Sequence, residues 1–303
     1  MLTYQIAAKD HLRRVDSFTR NLLPSAQFSY IKKLISSGHL KVNGAPAAPG
    51  ELLRLGDQIT IKESSKTTAL LARLTPELDI LFEDTWILCL NKPAGIAVHR
   101  TEDPEEITLV DLAEALLQKR DGSGKLRPVN RLDKGTSGAI ILAKSAVAAG
   151  MFGKMIQEEG LGKLYLAVVE GKLQKQGTID AALDGKESQT SYVRLLQGGG
   201  VALLAVYPLT GRMHQIRQHF RMIGHPILGD KRYGGRSLTG FAGHALHSFR
   251  TTLMHPATGE EIDVPAPLPE QLLRLASRFG SMGEEALLSA LGEIPAAEAA
   301  ALS

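Results

Sequence analysis

The order of apolar segments along residues 77–280 is the feature that most limits how this chain can fold. Apolar runs of strand length, including WILCLNK, GAIILAKS, KLYLAVVEG and VALLAVYPL, are mixed with segments of helical periodicity, including TLVDLAEALLQKR, AVAAGMFGKMIQEE and QIRQHFRMI. The two kinds of segment do not alternate strictly, which argues against a doubly wound parallel sheet. We therefore predict an α+β fold with a mixed, mainly antiparallel sheet and flanking helices, in which Thr108 and Asp111 form a capping box.

The first part of the chain has a different pattern, which indicates a small separate unit. HLRRVDSFTRNLL and SAQFSYIKKLISSG carry apolar residues at helical spacing, whereas HLKVNG and LLRLGDQITI are typical of strands that meet turns at Asn43-Gly44 and Gly56-Asp57. We predict a small α/β domain over 1–64, a linker over 65–76, a larger domain over 77–280 and an Ala- and Glu-rich tail over 281–303.

Basic residues are concentrated in the small domain. Residues 1–66 contain ten Lys and Arg and five Asp and Glu, although the whole chain has a formal net charge of only +3. This excess favours a nucleic-acid partner for the small domain. A solvated helix face would produce the same pattern, so charge alone does not decide between the two readings.

Several classes of protein are disfavoured by simple features of the sequence. Cys89 is the single cysteine, which excludes a disulfide within the chain and a Cys-rich metal site. No apolar run approaches the ~20 residues that a membrane helix needs. The N-terminus, MLTYQIAAKD, lacks the basic and apolar regions of a secretory signal. We therefore expect a cytoplasmic protein with no membrane partner and no metal.

The densest group of polar residues is NRLDKGTSG, residues 130–138, which runs directly into the apolar segment AIILA. A loop anchored on a rigid strand positions a catalytic side chain well, which makes Asp133 a candidate. The alternative is structural, because Asp133 and Thr136 could simply stabilise a tight turn.

Two further segments could contribute to a site. GRMHQIRQH, residues 211–219, contains two Arg and two His, which suit a phosphate or a carboxylate, although a solvated basic helix would look the same. Lys163 and Tyr165 should point to one face of a strand. The Tyr165 ring could stack on a base, or it could be half-buried in a sheet.

Taken in order, these segments resemble the RluA-type RNA pseudouridine synthases over about residues 77–270. The matching stretches are Asn91-Lys92-Pro93-Ala94-Gly95, Arg131-Leu132-Asp133 with Thr136-Ser137-Gly138, Lys163 with Tyr165, Gly211-Arg212 with His214-Gln215-Ile216-Arg217, Gly224 to Asp230 with Tyr233-Gly234, and His255-Pro256 with Thr258-Gly259-Glu260. Residues 11–62 resemble the alpha-L RNA-binding module, and the matching residues are Arg14, Asp16, Ile35 to Gly38, Val42-Asn43-Gly44 and Gly56-Asp57.

The resemblance implies a monomeric enzyme that isomerises uridine to pseudouridine in RNA without a cofactor. Asp133 would be the essential carboxylate, Arg217 would keep it ionised through a bidentate pair, and Tyr165 would stack on the target base. Because the target base must leave its helix, irregular RNA would be preferred. Large-subunit ribosomal RNA is the favoured substrate, and transfer RNA is the alternative.

The resemblance also implies a set of RNA contacts. Arg131 would contact a phosphate or help to turn the nucleotide out. Further contacts are expected from Arg14, Lys32, Lys33, Lys41, Arg212 and His214. The chain departs from the family's usual pattern at Asn130, where His is common, and at Met213, where Thr is common, and both departures bear on how the substrate is positioned.

Three other functions fit the sequence less well. A non-enzymatic RNA-binding or ribosome-assembly factor would not need Asp133, Tyr165 and Arg217 together. A glycoside hydrolase needs two carboxylates at a defined separation, and the second candidate, Asp230, is interpreted as structural. A phosphoryl-transfer enzyme is disfavoured because the sequence has no Gly-rich phosphate loop that ends in Lys-Ser or Lys-Thr.

Overall fold

The computed structural model describes residues 2–23, 26, 28–62, 64, 78–99, 107–122, 124–238, 241, 243–277, 289 and 291. The chain divides into two compact units, Met1–Leu78 with Arg100–Ile107 and Asp79–His99 with Thr108–Ser303. The predicted linker (65–76) lies outside the described residues, and so does the predicted tail (281–303) apart from residues 289 and 291. The proposed domain boundaries therefore remain predictions.

The described part of the small unit contains two helices and an antiparallel sheet in the order β1-β4-β2-β3. Its elements are β1 (Leu2–Gln5), a 3-10 turn (Ala8–Asp10), α1 (Val15–Leu22), α2 (Phe28–Ser36), β2 (Leu40–Val42), β3 (Ala45–Pro46) and β4 (Gln58–Ile61). Buried side chains from both helices and from β2 and β4 form one apolar core. The predicted small α/β fold is confirmed.

Both predicted turns form, and one side chain joins them. Asn43 and Gly44 adopt φ values of 51° and 83°, which is the left-handed geometry that tight hairpin turns require. The Asn43 amide donates to Asp57 Oδ1 at 2.8 Å, and its oxygen accepts from the Gln58 N–H at 2.8 Å. Two turns that are separate in the sequence therefore stabilise each other.

Two apolar side chains in this unit are exposed, although helical spacing places them with the residues of the core. Leu12 lies before α1, at φ 61° and 60% exposed, because the backbone there pairs with Leu53 instead of continuing into a helix. Phe28 is 48% exposed at the start of α2, and the Lys32 ammonium lies 4.8 Å from its ring centroid. Helical spacing predicted neither exposure, because tertiary contacts decide which turn of a periodic segment is buried.

The large unit is built on a sheet in the order β10-β11-β12-β9-β13-β8-β6-β5, with β14 beside β13 and β7 beside β8. Its strands are β5 (Ile80–Glu83), β6 (Ile87–Lys92), β7 (Arg127–Pro128), β8 (Ser137–Ala143), β9 (Gly162–Glu170), β10 (Gln176–Asp180), β11 (Gln189–Gly198), β12 (Val201–Pro208), β13 (Leu246–Met254) and β14 (Glu261–Pro265). Among the described strands, β8 and β13 pair in parallel and the other pairs are antiparallel. The predicted mixed, mainly antiparallel sheet is confirmed.

Among the described residues, four helices accompany this sheet: α3 (Leu109–Asp121), α4 (Ala146–Glu159), α5 (Gln215–Met222) and α6 (Glu270–Ser277). The predicted capping box is present at the start of α3, where Thr108 Oγ1 accepts from the Asp111 N–H and the Asp111 carboxylate accepts from the Thr108 N–H. Strands β8 and β12 are buried along their whole length, as expected for continuous apolar runs without alternation.

The parallel pairing of β8 with β13 requires a glycine at position 138. Gly138 pairs with Ser248 and has a φ of 111°, and a Cβ added there would lie 2.2 Å from the Ser248 carbonyl oxygen. This close contact brings the start of β8, and with it the loop before the strand, against β13. A side chain at position 138 cannot be accommodated without moving backbone.

We expect Gly138→Ala to lower the free energy of unfolding by at least about 2 kcal/mol, because both the φ value and the added Cβ are unfavourable. Gly150→Ala is the control. Gly150 is an exposed residue in α4, and its Cβ would meet no heavy atom within 4 Å among the described residues, so this change should raise stability by up to about 1 kcal/mol. Urea denaturation measures both, and equal effects would contradict the close-contact argument.

Candidate active site

The loop that carries Asp133 is held by hydrogen bonds at both of its ends. Asn130 Oδ1 accepts from the Ile141 N–H at 2.8 Å, which fixes the start of the loop to β8. The Lys134 carbonyl accepts from the Gly95 N–H at 2.7 Å and from Lys92 Nζ at 3.2 Å. Asn130 therefore anchors the start of this loop to β8.

Lys92 joins this loop to the preceding one from a fully buried position. Its Nζ donates to the carbonyls of Pro93 at 3.0 Å and Ile96 at 2.8 Å, in addition to that of Lys134. Burial lowers the pKa of Lys92 to about 7, and the charge of nearby Asp133 acts in the opposite direction. The ammonium therefore holds two loops together and lies near the candidate carboxylate.

Arg217, on α5, is shared by two carboxylates. Its Nη1 donates to Asp133 Oδ2 at 2.8 Å, while Nε and Nη2 donate to the two oxygens of Asp230 at 2.7 and 2.9 Å. The prediction that Arg217 and Asp133 form a bidentate pair is therefore wrong: the two-pronged contact is made with Asp230, and Asp133 receives a single hydrogen bond. The Asp230 side chain is buried beside Arg217 and occupies that edge of the guanidinium.

The charges of Arg217 and Asp230 stabilise each other. Burial alone would lower the pKa of Arg217, but hydrogen bonds to Asp230 and Asp133 raise it above its ordinary value. Burial alone would raise the pKa of Asp230, but the same guanidinium lowers it below its ordinary value. Both groups are therefore ionised at neutral pH, and a fixed positive charge lies next to Asp133.

His214 and Tyr233 complete the surroundings of Asp133. His214 Nε2 lies 3.7 Å from Asp133 Oδ1, and His214 Nδ1 is 3.0 Å from the Tyr233 hydroxyl. The Tyr233 ring packs against Arg217, whose guanidinium carbon is 5.0 Å from the ring centroid. Burial lowers the pKa of His214, so its imidazole favours the neutral form.

Asp133 lines a cavity of about 420 Å³ together with Tyr165 and Lys163. Lys163 and Tyr165 therefore share one side of β9, as alternation along a strand predicts. Burial raises the pKa of Tyr165 to about 12, so its phenol is protonated at neutral pH. Burial lowers the pKa of Lys163 to about 8, and its Nζ donates to the Thr210 carbonyl at 2.9 Å.

The predicted RNA contacts fall into two groups. Arg131, Arg212 and His214 line the same cavity as Asp133. The other four lie in the small unit and are Arg14, Lys32, Lys33 and Lys41. The Arg14 guanidinium forms a bidentate pair with Asp16, at 2.8 and 3.0 Å, and remains largely exposed.

From the sequence, Asp230 was interpreted as structural, and Tyr233 was assigned no role. Both belong to the surroundings of Arg217, and their place in the motif after α5 was the available signal. Asp230 is only 1% exposed and is held by Arg217, so it is not placed as the second acid of a glycosidase. Within the described part of the chain, no group of three or more His, Cys, Asp or Glu side chains could hold a metal ion.

Comparisons with known proteins show what this chain is similar to. The family model described as RNA pseudouridylate synthase matches residues 86–222. The chain is 35% identical over 268 residues to a Bacillus subtilis (strain 168) protein named "Uncharacterized RNA pseudouridine synthase YhcT", covering 83% of this chain and 88% of that protein. It is also 31% identical over 307 residues to ribosomal large subunit pseudouridine synthase C of Escherichia coli (strain K12), covering 90% of this chain and 95% of that one.

The chain belongs to the RNA pseudouridine synthase family. It is an isomerase that acts on RNA, as the resemblance in its motifs implied. A solved structure of human RNA pseudouridylate synthase domain containing 1 superposes on this synthase with a TM-score of 0.57 at 28% identity, covering 72% of this chain and 96% of that one. None of the helices described for the synthase is long and apolar enough to cross a membrane.

We expect Asp230→Asn to lower the free energy of unfolding by about 3 kcal/mol, because it leaves a buried guanidinium without its bidentate partner. Asp263→Asn is the matched control, since Asp263 is an exposed residue 3.5 Å from the Arg250 Nε, and it should change stability by less than about 1 kcal/mol. Chemical denaturation of both variants measures the two changes in stability. Similar losses would show that the buried Asp230–Arg217 pair contributes no more to stability than the exposed Asp263 does.

His247 is buried on β13, and its Nδ1 lies 2.9 Å from Ser137 Oγ. Burial lowers the pKa of His247 from 6.5 to about 4. The unfolded chain therefore takes up this proton first as the pH falls, so His247 should contribute a decrease in the free energy of unfolding between about pH 6.5 and pH 4, of about 3 kcal/mol at most. His247→Gln should flatten that dependence in urea denaturation over this pH range. An unchanged slope would mean that other groups cause it.

Proposed function

We propose that this synthase converts specific uridines of large-subunit ribosomal RNA to pseudouridine, with Asp133 as the catalytic carboxylate. The observation that carries the proposal is the Asp133 carboxylate held by the Arg217 guanidinium at 2.8 Å, in a cavity that is also lined by Tyr165. Relatives named as large-subunit synthases support this RNA as the substrate.

The isomerisation breaks the bond between the ribose C1′ and N1 of uracil, turns the base, and joins C1′ to C5. The proton that leaves C5 is balanced by one that N1 gains. In this proposal Asp133 acts as an anion, either at the anomeric carbon or by adding to the base ring. Arg217 holds the Asp133 carboxylate in place through its hydrogen bond at 2.8 Å.

Tyr165 is proposed to stack on the target base. Its pKa of about 12 means that its phenol carries its proton at neutral pH, so in the free enzyme it can donate a hydrogen bond but is a poor base. Its position on the rigid strand β9 supports a stacking role, since a stacking surface must not move when the base arrives.

The Arg and Lys side chains are proposed to bind phosphates, and His214 to contact the RNA as a neutral imidazole. Arg131, Arg212 and His214 would contact the nucleotides around the target uridine, because they line the same cavity. In the small unit, Arg14, Lys32, Lys33 and Lys41 would add affinity with little sequence readout. The synthase would act in the cytoplasm as a monomer without a cofactor, and transfer RNA remains the alternative substrate.

We expect Asp133→Asn to abolish the modification, lowering the rate at the target sites by at least a hundredfold, because an amide cannot act as the anion. The measurement is pseudouridine mapping of total RNA from cells that lack the protein, complemented with wild type, Asp133→Asn or Asp263→Asn as the exposed-carboxylate control. The wild type and the control should restore the same sites.

The location of the restored sites decides the substrate. Sites in large-subunit ribosomal RNA support the proposal, whereas sites in transfer RNA alone identify the alternative. Restoration of those sites by Asp133→Asn would exclude Asp133 as the catalytic group. If no site in any RNA depends on the protein, the chain does not modify RNA in that cell, and a non-catalytic role in ribosome assembly becomes the better reading.

A further inference from the structure

Two large apolar side chains are exposed at the candidate active site. Leu209 is 45% exposed and Met213 is 48% exposed, and both line the cavity that contains Asp133. Because both side chains line the same cavity, a ligand bound there would meet apolar surface as well as charge. The pair is called the apolar ledge below.

The backbone that carries the apolar ledge is held firmly. The Leu209 N–H donates to the Gln189 carbonyl at 3.0 Å, and the Met213 carbonyl accepts from Gln218 Nε2 at 2.8 Å. The N–H of Arg212, the residue before Met213, donates to Gln215 Oε1 at 2.9 Å. A segment with this many backbone contacts presents its exposed side chains in fixed positions, which suits recognition of a rigid partner.

The neighbours of the apolar ledge indicate the chemistry of that partner. Arg131 and Arg212 are exposed and line the same cavity, so it combines cations with apolar side chains. A flat apolar group attached to phosphates matches this arrangement, and a nucleobase in an RNA strand is such a group.

We propose that the apolar ledge packs against the face of the base next to the target uridine. This inference rests on the proposed function, because it assumes that a uridine leaves its stack to reach Asp133. When a base is everted, its neighbour loses a stacking partner. Leu and Met side chains fill such gaps in nucleic acids, and the Met213 thioether makes favourable contacts with aromatic rings.

The apolar ledge would influence which uridines this synthase modifies. Position 213 is Thr in the usual pattern of the RluA-type family, and Thr offers a smaller apolar surface than Met. A site whose neighbouring base is a purine offers the larger face, so the ledge would favour uridines that have a purine neighbour.

We expect Met213→Thr to raise KM about threefold to tenfold and to leave kcat unchanged, because the contact exists both before and during the chemical step. The probe is a short RNA that contains the uridine identified by mapping. The matched control is Met222→Thr, since Met222 is 55% exposed on the same segment of chain but is not among the residues that line the cavity. The control should retain the wild-type KM.

The same contact can be tested by changing the RNA instead of the protein. Abasic residues placed in turn at the two positions that flank the uridine remove the proposed partner of the apolar ledge. At one of these positions, the wild type and Met213→Thr should have the same KM, so that the effects of the two changes are not additive. Leu209→Ala should show the same coupling at the same position.

Two results would overturn this proposal while leaving the proposed function intact. One is an equal KM for Met213→Thr, Met222→Thr and the wild type on an RNA that the wild type modifies. The other is full additivity at both flanking positions, which would mean that Met213 acts elsewhere. If the wild type modifies no RNA, or if Asp133→Asn is fully active, the proposed function fails and this inference fails with it.

Discussion

The site depends on one guanidinium that is shared by two carboxylates. Arg217 is nearly buried, and its charge is tolerated there because Asp230 contacts two of its nitrogens and Asp133 contacts the third. The two acids have different positions: Asp230 is fully enclosed, whereas Asp133 lines the cavity. Asp230 thus fixes the cation, and the cation in turn fixes the carboxylate that lines the cavity.

This arrangement joins three parts of the chain that are distant in sequence. Asp133 comes from the loop before β8, Arg217 from α5, and Asp230 from the segment after α5. The loop is held by Asn130 at one end and by the Lys92 ammonium at the other. The close pairing of β8 with β13 fixes the start of the strand that follows it.

The surroundings of Asp133 combine fixed charge with side chains that are neutral at neutral pH. Burial keeps Tyr165 protonated and favours neutral His214, so neither adds a charge that would compete with Arg217. Leu209 and Met213 are exposed and line the same cavity, as do Arg131 and Arg212. The cavity therefore offers both charged groups and apolar surface.

The sequence by itself determined the elements and the identity of the main residues. Continuous apolar runs predicted β8 and β12, and local chemistry predicted the Thr108 cap and the Asn43-Gly44 turn, because these depend on residues that are close in the chain. Only the tertiary structure decided that Leu12 is exposed and that the bidentate partner of Arg217 is Asp230 and not Asp133. The choice of partner depends on distances between segments that lie far apart in the sequence, and those distances are fixed by packing and pairing across the whole sheet. Local periodicity carries no information about them.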